Sequence, residues 1–383
     1  MPALDLTDLP VVDNHCHGVD RDQDLDVADW RSRCTEAPHA WARRADATDT
    51  ACYRRLVRAA AAFHDLPEPY DEAALLAARA IRSAAQLTRE LFRDAGIAGL
   101  VVDTGYPEPD RVLGRAGLPD GEQVELLRVE LLLQDLVARH DRLDAVVEDL
   151  RDRLGDLRAS GWAGLKSIVG YRTGLDVARW QPDEAQAAFV RARAEVGTTG
   201  QVRLGHKPLL DTLLHVALLA AASQEVPVQF HVGYGDPDVD LRTASPLGLR
   251  ALLEEPAYRG APIVLLHGCW PYVREGAFLA AVYENAYLDL SYGIPFLSLG
   301  ELTSMTRAAL GAAPFAKLMY SSDGAQIPEL HWLGARDGRR VLGRVLDELV
   351  VDGDLDQAQA RDVAGRILGG TAWQLYGFAG DLS

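Results

Sequence analysis

Two histidines one residue apart, His15 and His17, end an apolar run near the start of the sequence. Successive side chains of a β-strand point to opposite faces, so both imidazoles project to one side and Cys16 projects to the other. Neutral imidazole is a frequent ligand of divalent metals. If this face lines the interior of a barrel, the pair can hold one cation from a single strand end. An isolated His-x-His sequence is common, so the prediction depends on residues further along the chain.

Four other polar residues close apolar runs in the same way: Lys166, His231, His267 and Asp323. In a barrel of parallel strands the active site forms at the carboxyl ends of the strands, so residues at these positions meet. Each has an ordinary alternative, because a strand-end histidine is often a hydrogen-bonded structural residue and an Asp before a Gly is common in turns and caps. The joint placement of all six groups predicts a metal site.

Short apolar runs alternate along the chain with longer stretches of helical periodicity, which is typical of parallel strand–helix units. The eight runs are residues 11–14, 97–103, 124–132, 164–169, 226–232, 263–267, 286–290 and 318–321. Eight such units predict a (β/α)8 TIM-like barrel, regular or distorted, which usually needs roughly 250 residues. The alternative, a doubly wound open sheet, lacks a Gly-x-Gly-x-x-Gly sequence after the first strand.

The residues between about 20 and 95 are rich in Ala, Arg, Asp and Leu and predict a helical insertion after the first strand. Because it leaves directly after the histidine pair, we expect it to lie over or beside that end of the barrel. At least one of four of its side chains is expected near the site: Trp30, Arg33, Trp41 or Arg43. Since no linker or internal repeat divides the chain, we expect residues 1–383 to form a single domain.

The composition limits the class of protein. The chain has 383 residues, 48% of them hydrophobic and 25% charged, and a net charge of -17 at pH 7. This is typical of a globular protein that binds neither nucleic acid nor anionic membranes. Its four cysteines form no Cys-x-x-Cys pair, and no spanning run or leader is recognisable, so we expect reduced thiols and a cytoplasmic location. The expected partner is a small-molecule substrate. The sequence does not decide whether the chain forms a homo-oligomer.

The ordered set of His-x-His, strand-4 Lys, strand-5 His, strand-6 His and strand-8 Asp resembles the amidohydrolase superfamily of metal-dependent hydrolases. A narrower resemblance is to the amidohydrolase-type domain that in fungi and plants is fused ahead of a glutamine-synthetase-like module. Three segments carry it: Gly164-Leu165-Lys166-Ser167-Ile168, Gln229-Phe230-His231-Val232-Gly233-Tyr234-Gly235-Asp236 and Ser321-Ser322-Asp323-Gly324. That fusion implies a link to γ-glutamyl compounds. This sequence resembles only the amidohydrolase-like part of the fusion.

The superfamily pattern implies that His15, His17 and Asp323 bind a more buried metal and that His231 and His267 bind a more exposed one. Nitrogen and oxygen ligands suit zinc, with manganese or iron as substitutes. The expected cofactor is therefore one or two divalent ions, with zinc favoured.

Lys166 has two interpretations. Carboxylated by CO2, it would bridge two ions, as in the binuclear members of the superfamily. As a free ammonium it would instead donate to a substrate carboxylate or a neighbouring acid, and one ion would be held by His15, His17, His231 and Asp323. His267 would then polarise the substrate.

The resemblance implies a hydrolase that cleaves a C–N amide or isopeptide bond, of γ-glutamyl type, in a small molecule. A bound metal lowers the pKa of water from about 15.7 to about 7. Asp323 is the expected general base, with His267 and Lys166 as further catalytic groups. The alternatives are a non-hydrolytic metal enzyme on the same scaffold, a decarboxylase or sugar-acid isomerase, and a non-catalytic regulatory barrel. The presence of all six groups disfavours the last.

Eight loop residues near the strand ends are predicted to bind the substrate: Tyr171, Arg172, Tyr234, Arg242, Trp270, Tyr292, Gln326 and His331. Arginine binds carboxylates through two parallel hydrogen bonds, so either arginine indicates an acidic small molecule such as an amino-acid derivative. The equally weighted alternative is a salt bridge from each arginine to one of three acids: Asp236, Asp238 or Asp240.

Overall fold

The computed structural model describes residues 4–113 and 122–382. Its strands are β1 (Val11–Cys16), β2 (Ile97–Asp103), β3 (Glu122–Arg128), β4 (Trp162–Ser167), β5 (Val228–Phe230), β6 (Ile263–Leu265), β7 (Ala286–Ser291) and β8 (Leu318–Ser321). They form one sheet in sequence order, and the strand pairs with a described register are parallel. With helices between the strands, this is the predicted (β/α)8 TIM barrel.

The helices are α1 (Val27–Ser32), α2 (His39–Ala42), α3 (Ala51–Phe63), α4 (Glu72–Arg79), α5 (Ala84–Asp94), α6 (Val129–Arg139), α7 (Leu143–Arg153), α8 (Pro182–Thr199), α9 (Lys207–Ser223), α10 (Arg250–Glu254), α11 (Val273–Val282), α12 (Leu299–Leu310), α13 (Pro328–Asp352), α14 (Gln357–Gly365) and α15 (Thr371–Tyr376). The first five lie between β1 and β2 and form the predicted helical insertion. No helix in the described ranges is both long and apolar enough to cross a membrane.

One apolar run was assigned wrongly in part. The run 124–132 was predicted as a strand, but β3 ends at Arg128 and α6 begins at the next residue. The buried residues of α6 include Val129, Leu133, Leu136 and Val137, which is helical spacing. A continuous apolar run does not distinguish a buried strand from a buried helix, so the boundary inside it was not visible in the sequence.

The chain divides into two compact units. Unit 1 comprises residues 1–123, 235–237 and 289–383, and unit 2 comprises residues 124–234 and 238–288. Unit 1 holds β1, β2 and β8 with the insertion, and unit 2 holds β4, β5 and β6. The expectation of a single domain stays a prediction.

A buried ion pair anchors the insertion within unit 1. Arg79, the last residue of α4, donates from Nε to Oε1 of Glu329 at 2.5 Å, and both side chains are almost wholly buried. The Arg79 guanidinium also donates to the carbonyl of Gln23 at 3.0 Å. Glu329 lies in the first turn of α13, so this pair connects the insertion to the helix that follows β8.

The cysteines agree with the prediction of reduced thiols. Cys16, Cys34, Cys52 and Cys269 are all buried and none forms a disulfide.

Candidate metal centre

Three of the predicted ligands lie together in unit 1. His15 Nε2 lies 3.4 Å from Asp323 Oδ1, and His17 Nε2 lies 3.6 Å from the same oxygen. One ligand atom from each residue falls within 4.8 Å of the others. Two ligands of one tetrahedral zinc ion lie about 3.3 to 3.5 Å apart, so this spacing fits a shared cation. The donor set of two imidazoles and a carboxylate also fits zinc, manganese or iron.

The contacts of His17 set its orientation toward that position. Its Nδ1 lies 3.4 Å from the carbonyl oxygen of Asp103 at the end of β2. A carbonyl only accepts hydrogen bonds, so Nδ1 carries the proton and Nε2, facing Asp323, keeps its lone pair for a metal. The ring of Tyr106 packs edge-on against His17 at 5.7 Å between centroids.

Backbone hydrogen bonds hold the Asp323 loop against the end of β1. The Asp323 amide donates to the His15 carbonyl at 3.0 Å, and the His17 amide donates to the Gly324 carbonyl at 2.8 Å. Asp323 has a φ of 53°, a left-handed conformation that costs a non-glycine residue roughly 1 kcal/mol. Such strain is maintained only where surrounding contacts fix the backbone, and it is frequent at functional sites.

Asp13 and Ser322 form a support beneath this loop. The Ser322 amide donates to Asp13 Oδ1 at 2.8 Å, the Ser322 hydroxyl donates to Oδ2, and the Gly324 amide donates to the Ser322 hydroxyl at 2.8 Å. Asp13 is also near enough to Cys16 and His331 to form a second group of possible metal ligands. Because both Asp13 oxygens already accept hydrogen bonds from Ser322, we assign it to positioning Asp323.

Replacing this support is expected to weaken metal binding without removing a ligand. Asp13→Asn should lower metal affinity or turnover about 10- to 100-fold, because groups that orient metal ligands carry effects of that size. Chelator competition measures the affinity. Cys52→Ala, a buried residue of α3 outside both groups of possible ligands, should stay near the wild type. Equal affinities for Asp13→Asn and the wild type would contradict the positioning role.

The insertion contributes a carboxyl group that sequence reasoning did not identify. Burial, together with the charges of Asp323 and Asp236, raises the pKa of Glu36 to about 7. Glu36 lies between α1 and α2, so this segment of the insertion is within electrostatic reach of Asp323.

Of the side chains named from the sequence, Arg33 pairs with Asp20 at 3.4 Å. The others are Trp30, buried under Arg79; Trp41, on the surface; and Arg43, paired with Asp29.

The raised pKa of Glu36 predicts a pH-dependent stability. Its folded-state pKa lies above the unfolded value of 4.5, so the folded protein binds the proton more tightly and loses stability as pH rises from about 4.5 to about 7. In metal-free protein, Glu36→Gln should therefore be more stable than the wild type above pH 7, by about 1 to 3 kcal/mol. Urea unfolding at both ends of this range measures the difference, and a difference independent of pH would contradict the assignment.

In unit 2, His231 and His267 contact each other. His267 Nε2 lies 2.9 Å from His231 Nδ1, while His231 Nε2 lies 2.6 Å from the carbonyl oxygen of Tyr234. The carbonyl fixes the His231 proton on Nε2, so Nδ1 presents its lone pair toward His267. The two facing nitrogens are close to the separation of two ligands on one cation, about 3.3 Å. His267, Gly268 and Cys269 all have left-handed φ angles, of 63°, 57° and 53°.

Lys166 is buried in β4, paired in register with Arg128 of β3 and Gln229 of β5. The segment after it is held by Glu130 of α6, whose Oε1 accepts from the Ser167 hydroxyl at 2.7 Å and from the Ile168 amide at 3.0 Å. Burial raises the pKa of Glu130. Sequence reasoning missed this residue, although a lone acid among the apolar residues of 126–133 was a visible signal.

Three of the predicted substrate residues surround the unit 2 histidines. The Tyr171 ring lies 4.4 Å from His231 and the Tyr234 ring 5.2 Å from His267, between centroids. The carbonyl of Trp270 accepts a hydrogen bond from the Tyr234 amide at 2.8 Å. Their role toward a substrate stays a prediction.

The two arginines differ. Arg242 is exposed and forms a salt bridge with Asp240 at 2.6 Å, so the salt-bridge alternative holds for it. Arg172 is half-buried, and burial lowers the pKa of its guanidinium. It forms no ion pair with any residue in 4–113 or 122–382. Arg172 is therefore the better candidate for an acidic substrate.

Two predicted substrate residues point elsewhere. Tyr292 donates to or accepts from the Thr306 hydroxyl of α12 at 3.0 Å and stacks on Tyr320, so it packs against a helix. His331 is wholly buried behind the Gly324 backbone and lies beside Phe92. These contacts place both side chains against the helical layer, and their predicted role in substrate binding stays a prediction. Gln326 ties its loop to β1 through its backbone: its amide donates to the Gly18 carbonyl at 2.9 Å.

The fold and these groups define a class, the TIM barrels with a candidate divalent-metal site, and comparisons with known proteins agree. A proposed metal-dependent hydrolase from Lactobacillus casei is 28% identical, with a TM-score of 0.86, and the match covers 97% of this chain and 96% of that one. Glucuronate isomerase from Caulobacter crescentus shares the fold, with 16% identity, a TM-score of 0.64, and coverage of 98% of this chain and 92% of that one.

Among curated proteins, Protein fluG of Emericella nidulans is 36% identical over 223 residues. That match covers 56% of this chain but only 25% of the fungal protein, so the chain spans about a quarter of its relative. No family model matches the chain.

Proposed function

We propose that this chain is a metal-dependent hydrolase that cleaves a C–N amide or isopeptide bond of a small acidic molecule. The observation that carries the proposal is the convergence of His15 and His17 on Oδ1 of Asp323, at 3.4 and 3.6 Å. The similarity to the Lactobacillus casei protein over almost the whole chain supports the same class. The γ-glutamyl type of bond, the cytoplasmic location and zinc as the metal belong to this proposal.

The two groups of candidate ligands are proposed to act together. Each group stands at the carboxyl end of the strands in its own unit, which is the end at which (β/α)8 barrels form their active sites. A divalent cation bound there would supply Lewis-acid polarisation and a water of lowered pKa. His15, His17 and Asp323 would hold it, with His231 and His267 as further ligands, or with His267 alone as a donor to the substrate carbonyl.

Asp323 has the position of a proton carrier. Its carboxylate would accept a proton from the attacking water and then transfer it to the leaving nitrogen, as the C–O bond forms and the C–N bond breaks. His267 would donate a hydrogen bond to the oxygen that becomes negative during attack. Arg172, half-buried and without an ion pair in the described ranges, would bind a carboxylate of the substrate.

A substrate screen of the metal-loaded protein tests this. The panel contains γ-glutamyl amides, isopeptides and N-acyl amino acids, with uronates and carboxylic acids that a sugar-acid isomerase or a decarboxylase would consume. Hydrolysis in heavy-oxygen water should place the label in the carboxylate product. Arg172→Gln should raise KM for acidic substrates more than it lowers kcat. Uronate interconversion or CO2 release without hydrolysis would replace the proposal with the non-hydrolytic alternative.

A further inference from the structure

A cavity of about 880 Å³ lies in unit 1, lined by α3, α13 and the segment before β1. Six arginines line it, and we call it the arginine pocket: Arg54, Arg55 and Arg58 of α3 with Arg336, Arg339 and Arg340 of α13. Its acidic lining residues are Asp5, Asp94 and Asp337, and with Asp49, which pairs with Arg54 from outside the lining, an excess of two positive charges is left. This excess stands out in a chain whose net charge is -17.

Two of the six arginines have neither an ion pair nor a hydrogen bond with any residue of the described ranges. They are Arg58 and Arg340, one from each helix, and both are exposed. The other four are engaged: Arg54 with Asp49, Arg55 with Asp337, Arg336 with Asp94, and Arg339 with the carbonyls of Ala95 and Leu9. The pocket therefore has four guanidinium groups held in place, three of them by carboxylates, and two that are able to turn toward a ligand.

We propose that the arginine pocket binds a phosphoryl anion, either free phosphate or the phosphate of a small ester. The planar guanidinium matches the oxygens of phosphate through paired hydrogen bonds, and the lining contains no lysine. An excess of two charges favours a dianion over a single carboxylate. The described lining residues include no aromatic ring for a base to stack on, and the remaining wall includes Leu4, Leu6, Leu299 and Leu333. A phosphate with a small aliphatic body fits this wall better than a nucleotide.

The site is separate from the proposed hydrolase centre, since none of its lining residues is a candidate metal ligand. Its occupancy therefore does not depend on the proposed function, and a failed substrate screen leaves it untouched.

Calorimetric titration at constant ionic strength tests the proposal with three phosphoryl probes, which are inorganic phosphate, inorganic pyrophosphate and propyl phosphate, and with citrate as a carboxylate control. The variant Arg58→Gln/Arg340→Gln should bind about 100-fold more weakly than the wild type, roughly tenfold for each guanidinium removed. Arg191→Gln/Arg259→Gln removes the same charge from two exposed arginines outside the pocket and should bind like the wild type. Stronger binding of propyl phosphate than of phosphate would identify an ester as the source.

Three results would overturn the proposal. The first is that the wild type binds none of the probes at millimolar concentration. The second is that both double variants lose affinity equally, because binding would then depend only on the total charge of the protein. The third is binding of citrate as strong as that of pyrophosphate. A changed oligomer mass for Arg58→Gln/Arg340→Gln without anion binding would instead make this face an interface between copies. Urea unfolding of each variant verifies that it is folded, which both exposed positions should permit.

Discussion

Asp323→Asn is expected to lower kcat/KM by at least about 10²- to 10⁴-fold while the protein stays folded. The substitution keeps the size of the side chain but removes its negative charge and its capacity to accept a proton. The Asp323 amide still donates to the His15 carbonyl, so the loop keeps its main attachment. The same change should lower the bound metal, because Oδ1 faces both His15 and His17.

The measurements are kcat/KM with the substrate found by screening, metal content per chain, and circular dichroism. Asp49→Asn removes an equal charge from an exposed carboxylate paired with Arg54 and should keep wild-type activity. An Asp323→Asn protein with more than a tenth of wild-type turnover would rule out Asp323 as the base.

Lys166→Met is expected to abolish most turnover and, if the site is binuclear, to reduce the metal content from two ions to one. Two cations in a small cavity need an anionic bridge to offset their repulsion, which a free ammonium cannot supply. Methionine keeps the length of a side chain that is 1% exposed, so packing is maintained. Added formate or acetate should restore part of the activity to Lys166→Ala by occupying the vacated bridge.

Metal analysis and intact mass measure this second effect, since carboxylation adds one CO2 to the wild type and nothing to either variant. An unchanged metal count in both variants would remove Lys166 from the metal site and leave it as a substrate-binding residue.

Apart from the run 124–132, the strands could be predicted because each apolar run is short and lies next to a polar group. His15 and His17 share a face through the two-residue period of a strand, which is a local property. The Asp240–Arg242 salt bridge is local as well, since its partners lie two positions apart in sequence.

Other features depend on contacts that no local pattern contains. Burial raises the pKa of Glu36, and the charges of Asp323 and Asp236, which are remote in sequence, raise it further once the insertion has packed. Asp13 and Ser322 are 309 residues apart, so the support beneath Asp323 exists only in the folded chain. Glu130 lies in the run 124–132, which is predicted as a strand. Its hydrogen bonds to the segment after β4 depend on α6 beginning at Val129.

The Arg79–Glu329 pair has a consequence for the exchange of parts between related barrels. An insertion without buried contacts to the rest of its barrel could be deleted, or transferred to another barrel as a unit. Here a grafted insertion that lacks Arg79 would leave the Glu329 carboxylate, 1% exposed in this chain, without a cation, and an unpaired buried charge of this kind costs about 3 to 5 kcal/mol. A chimera must therefore replace Glu329 together with α4, so the two segments are constrained to diverge as a pair.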